Sequence, residues 1–169
     1  ASIGETGTSW MRFSQIDQIL LLEPGGRIEA VGNLTGQEDY LRDHFPRFPV
    51  MPGVLMLEAL FQASSLLVRA TDEYQNGLVL LQEAKNVKFS DFVQPGQSLT
   101  VTAEIIKHAG QSTTIKATGK KKDALAVAAR LVLKRTPIEG GSELSPADRF
   151  ASNFMRDLTQ RLMQVPVAG

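Results

Sequence analysis

The chain has 169 residues, and its eighteen lysines and arginines balance eighteen aspartates and glutamates, so no net field draws it to nucleic acid. It has no cysteine and two histidines, which excludes disulfides and cysteine-built zinc sites and leaves a histidine-rich metal centre unsupported. The length suits one domain with a substantial core.

Residues 1–9 are small and polar. They lack the apolar stretch of a signal peptide and are expected to form a disordered tail on a cytoplasmic protein. A first strand is expected from about Phe13 to Leu22, ending at the turn signal Glu23-Pro24-Gly25-Gly26. Arg27 to Leu34 alternates in polarity and reads as the returning strand. Gln37 to Asp43 is polar and suits a short helical turn. From His44 to Pro52 the prolines at 46, 49 and 52 fix φ and push their neighbours toward extended backbone, so no helix runs through.

From Gly53 to Ala70 proline disappears and leucine, methionine, alanine, glutamate and glutamine dominate, which predicts a helix of about 27 Å. It is apolar nearly all round, the pattern of a helix buried inside a protein layer. Glu58 and Gln62 interrupt the apolar run, so no membrane span is expected. After a polar connection at 71–77, strands are expected at Leu78–Phe89, Ser98–Lys107, Ser112–Lys120 and Ala124–Lys134, separated by short turns that indicate an antiparallel sheet. Residues 136–144 read as a linker. Ser145-Pro146 then starts a second helix with Phe150, Phe154, Leu158, Leu162 and Val165 at helical spacing. It packs either on the sheet or on a partner subunit. The fold class is therefore α+β, a sheet of about six strands curled around one long helix. The expected organisation is a tail at 1–9, one domain at 10–136, and a linker with a C-terminal helix at 137–169.

Chemistry concentrates at the join between the proline loop and the long helix. A carboxylate on a buried helix must be paired, protonated or placed in a cleft, so Glu58 is either half exposed at an edge or functional. Gln62 lies one turn later on the same face. His44 stands beside Phe45 and Phe48, fourteen residues before Glu58, and an imidazole with a carboxyl in apolar surroundings forms an acid and base pair. The free N–H of Gly53 at the helix start suits a developing enolate oxygen. Together these groups fit proton abstraction next to a carbonyl followed by loss of a hydroxyl as water. His108 precedes Ala109-Gly110 and is expected to be a solvated turn histidine. Ser64 and Ser65 lack a nucleophile elbow, and no phosphate-binding glycine loop is present.

At these residues the sequence resembles the hot-dog-fold (3R)-hydroxyacyl-[acyl-carrier-protein] dehydratases of FabZ type. His44-Phe45-Pro46, Pro49, Pro52-Gly53-Val54-Leu55, Glu58-Ala59 and Gln62 match the family signature in register. Ile16-Asp17-Gln18 upstream, the Asn33, Thr35, Glu38 and Tyr40 set, and Phe89 to Gly96 downstream extend the likeness over about residues 13 to 135. Glutamate at 58 resembles the FabZ type rather than the isomerising FabA type, which carries aspartate there.

The resemblance implies a curved antiparallel sheet wrapped around the long helix, homodimers paired edge to edge, and trimers of such dimers. It implies His44 as the base, Glu58 as the acid and Gly53 as the carbonyl-polarising amide, with His44 of one subunit facing Glu58 of the other. Phe45, Pro52, Val54, Gln62 and Phe89 are the expected supporting or tunnel residues. The implied substrate is an acyl-carrier-protein or coenzyme A thioester, dehydrated to the trans-2-enoyl product in fatty acid synthesis without cofactor or metal. Three features depart from the family. Arg47 and Asp43 replace glycines, which places Arg47 at the entrance, and the R-Y-P segment expected near Trp10 to Phe13 is absent. Two alternatives stay open: a hot-dog acyl thioesterase, and a non-catalytic acyl-binding subunit.

Overall fold

A computed structural model describes residues 15–34, 53–137 and 146–164. Among the described residues six strands and two helices follow in chain order: β1 (Gln18–Glu23), β2 (Arg27–Asn33), α1 (Gly53–Thr71), β3 (Asn76–Phe89), β4 (Ser98–Ala109), β5 (Ser112–Lys121), β6 (Ala124–Pro137) and α2 (Pro146–Gln164). The strands form one antiparallel sheet in the order β1-β2-β4-β5-β6-β3. Because β3 follows α1 directly yet pairs with β6, the chain crosses the whole sheet between β2 and β3, carrying α1 over one face.

That face is the core. Strand alternation sends every second side chain toward α1: Ile28 and Ala30 from β2, Leu99, Val101 and Ala103 from β4, Ile115 and Ala117 from β5, and Leu131 and Leu133 from β6 are all buried. Met56, Ala59, Leu60, Ala63, Leu66, Leu67 and Val68 of α1 fill the space between. This is the hot-dog arrangement expected. By length and composition alone α1 could cross a membrane, but its apolar side is packed by strands of the same chain.

α2 lies on this chain, against β1, α1 and β3, which decides between the two placements left open. Its inward face corrects the expected stripe. Met155, Leu158 and Leu162 pack on the core, with Ser152 and Thr159 buried between them. Phe150 and Phe154 stack on each other, 6.3 Å between ring centroids, on the outer side, where Phe150 is 72% exposed. The buried hydroxyls lose no hydrogen bond, since Ser152 Oγ donates to the Tyr74 carbonyl at 2.6 Å and Thr159 Oγ1 to the Met155 carbonyl at 2.7 Å. Arg156 covers the Tyr74 ring at 5.2 Å, a second tie between α2 and the chain leaving α1.

His108 also differs from expectation. Its Nε2 lies 2.9 Å from Asp72 Oδ1 and its Nδ1 2.8 Å from the buried Thr113 Oγ1. Asp72 further accepts from Asn76 Nδ2 at 2.7 Å and from Arg135 at 3.1 Å, while Arg135 also donates to the Gly110 carbonyl. The C-terminal end of α1 is thereby tied to the β4–β5 hairpin and to β6. Burial opposes the charge on Asp72, but hydrogen bonds from Asn76, Arg135 and His108 outweigh it and hold the carboxyl below its ordinary value.

Candidate active site

The first turn of α1 has N–H groups without intrahelical acceptors and itself holds no acidic side chain, so it presents the positive end of the helix dipole. Gly53 opens that turn. A β-carbon at this position would lie 3.1 Å from the Phe89 ring, with two further ring carbons at 3.3 Å. The absence of a side chain thus lets the end of β3 lie against the helix start. Phe89 remains half exposed, and Val54 on the same turn is 69% exposed.

Glu58 sits on the next turn, half buried. Its Oε1 accepts a hydrogen bond from Gln62 Nε2 at 3.2 Å. Gln62 is itself held, because its Oε1 accepts from the backbone N–H of Gln15 at 2.7 Å. A backbone donor at Gln15 requires the amide oxygen to face it, which turns the amide NH2 toward the carboxylate. The i, i+4 spacing of Glu58 and Gln62 shows in the sequence. The Gln15 contribution does not, since it comes from backbone 47 positions away from Gln62.

The ends of β2, β3 and β5 are also tied. Leu34, the last described residue before the proline loop, donates to Gln97 at 3.0 Å and accepts from Gly96 at 2.7 Å. Lys121 at the end of β5 pairs with Asp91 at 3.0 Å and donates to the Phe92 carbonyl at 3.0 Å. The Phe92 backbone N–H and then Lys121 hold the Asp91 carboxyl below its usual range. Asn33 N donates to Asp17 Oδ2 at 2.6 Å, which joins the two upstream motifs of the sequence. Of the expected site residues, Gly53, Val54, Glu58, Gln62 and Phe89 gather around the first turns of α1. His44, Phe45, Arg47 and Pro52, with Asp43, lie outside the described residues.

A profile of the FabA-like domain matches residues 9–130, a range that leaves out α2. The 3-hydroxyacyl-[acyl-carrier-protein] dehydratase FabZ of Levilactobacillus brevis is 35% identical over 116 residues, covering 69% of this chain and 78% of that protein. The protein of the same name from Clostridium kluyveri is 37% identical over 115 residues, covering 66% and 80%. Among solved structures, the dehydratase heterocomplex ApeI:P from Xenorhabdus doucetiae matches with a TM-score of 0.61 at 13% identity, over 73% of this chain and 84% of that one. A hypothetical thioesterase from Streptococcus pneumoniae, solved with coenzyme A, matches with a TM-score of 0.55 at 12% identity, over 71% and 88%. At these identities the structural likeness speaks for the fold alone.

Proposed function

Since the chain belongs to the FabA-like family and is similar to its FabZ-type members, we propose that it dehydrates 3-hydroxyacyl thioesters to trans-2-enoyl thioesters in fatty acid synthesis. It is a hydro-lyase acting on an acyl thioester, with the acyl group carried by acyl carrier protein and the reaction located in the cytoplasm. The observation that carries this reading is the Glu58 carboxylate, oriented by Gln62 one turn below the start of α1.

In this mechanism the Gly53 N–H and the helix dipole polarise the thioester carbonyl. His44 takes the proton from C2, and the electron pair of that bond moves into the forming C2–C3 double bond. The C3–O bond breaks, and Glu58 protonates the departing hydroxyl as water. Since Oε1 of Glu58 is occupied by the Gln62 donor, the delivered proton sits on Oε2. Val54 and Phe89, both exposed beside Gly53, are suited to flank the acyl chain, with Phe45 and Pro52 as further tunnel residues and Arg47 at the entrance.

The site is completed by a second subunit. β3 is an edge strand of fourteen residues that exposes Leu78, Leu80, Leu81, Val87 and Phe89, and an edge of this kind calls for a pairing partner. Two β3 strands paired in a homodimer bring the end of each β3, and the helix start against it, next to the partner chain. By the family resemblance His44 of one subunit faces Glu58 of the other, and such dimers assemble further into a trimer of dimers.

The test is incubation of the purified protein with a 3-hydroxyacyl thioester on acyl carrier protein and on coenzyme A. Absorbance of the 2-enoyl product, without free thiol and without the 3-enoyl isomer, is expected. Release of free thiol identifies a thioesterase instead, and the absence of both products leaves a non-catalytic acyl-binding subunit.

A further inference from the structure

The segment leading into β1 is clasped onto β2 at three successive residues. Asp17 N donates to the Val31 carbonyl at 2.8 Å, and Asn33 N donates to Asp17 Oδ2 at 2.6 Å. Between them Gly32 lies against the carbonyl of Gln15. A β-carbon at Gly32 would stand closer than 3.0 Å to that oxygen, and the obstacle is backbone, which cannot rotate aside as a long side chain can.

Gln15 is also the residue that reaches the active-site helix. Its N–H donates to Gln62 Oε1 at 2.7 Å, and Gln62 Nε2 donates to Glu58 Oε1 at 3.2 Å. Any side chain at position 32 pushes the Gln15 carbonyl away, and the N–H on the other side of the same Cα, which donates to the Gln62 amide oxygen, is drawn off its position with it. We infer that Gly32 is a positioning residue for Glu58, acting from β2 through the Gln15 backbone and the Gln62 side chain. This rests on the dehydratase reading of Glu58. Gly32 touches no substrate in this scheme, so its effect belongs to the orientation of the carboxylate and not to acyl binding.

The test is a double-mutant cycle on turnover of a 3-hydroxyacyl thioester, using Gly32→Ala, Gln62→Ala and the double variant, with thermal melting as a control for folding. Gly32→Ala lowers kcat by about ten- to a hundredfold, the scale of an ångström misplacement of a catalytic group, and leaves KM within about twofold. In the Gln62→Ala background the same substitution adds less than about twofold, because the relay is already cut. Independent losses that multiply, or an unchanged kcat in a folded Gly32→Ala protein, overturn the inference. If Gly32→Ala does not fold, Asp17→Ala, which loosens the clasp without a steric clash, takes its place in the same cycle and is read in the same way. Wild-type protein without dehydratase turnover removes the reaction but not the relay. In that case the side-chain amide signals of Gln62 in 15N-labelled protein, assigned by their loss in Gln62→Ala, decide. They shift in Gly32→Ala if the relay exists and stay in place if it does not.

Discussion

Glu58 and His44 differ in how each is supported. Glu58 has a geometry, a half-buried carboxylate held by Gln62, whereas His44 rests on its place in the signature. Both are expected to lower turnover by at least about a hundredfold when removed, Glu58→Gln and His44→Ala alike, with the melting temperature unchanged; steady-state kinetics alongside a thermal melt checks this. Asp72 makes a separate prediction about acid stability. Its folded-state pKa is lowered, so the unfolded chain takes up a proton at about pH 4 while the folded chain does so only at lower pH. The stabilisation is complete above the unfolded value and is lost as pH falls through the folded one. Asp72→Asn therefore melts at lower temperature than wild type at neutral pH, and the gap narrows as pH falls below the ordinary carboxylate value and on through the lowered folded one. A gap independent of pH contradicts the assignment. Residue identity made Glu58 and Gln62 legible, because i, i+4 positions on a helix meet whatever the tertiary fold. It hid the partners of His108, since Asp72 is 36 positions away and reaches it only when α1 ends beside the β4–β5 hairpin.

The elements themselves were legible for a related reason. Apolar periodicity and turn residues are local, and α1 and the strands from β2 to β6 follow them closely. α2 shows the limit. Phe150 and Phe154 recur at helical spacing with Leu158 and Leu162, yet the helix is rotated so that Ser152 and Thr159 face inward and the phenylalanines face out. The hydroxyls tolerate burial because backbone carbonyls accept from them, a compensation that hydrophobicity alone cannot register. Leu158→Ala is accordingly expected to destabilise the protein by about 2 kcal/mol, and Phe150→Ala by less than about 0.5 kcal/mol. Urea denaturation of the two variants separates these outcomes, and a loss at Phe150 as large as that at Leu158 would restore the stripe read from the sequence.

In the assembled protein the shared site depends on the β3 edge. Its exposed leucines and Val87 are what a second copy would cover, so Leu80→Lys with Val87→Lys is expected to break the dimer within the assembly, lowering the sedimenting mass, and to abolish turnover together. Loss of the dimer with full activity would place each site within one chain. A dehydratase site built from His44 of one subunit and Glu58 of the other has a distinct consequence in a hybrid of two inactive chains. A dimer of His44→Ala with Glu58→Gln, co-expressed under different affinity tags and purified through both, has one site lacking both groups and one site with both intact. This hybrid is expected to regain turnover of the 3-hydroxyacyl thioester in one of its two sites, whereas a hybrid as inactive as its parents overturns the shared site.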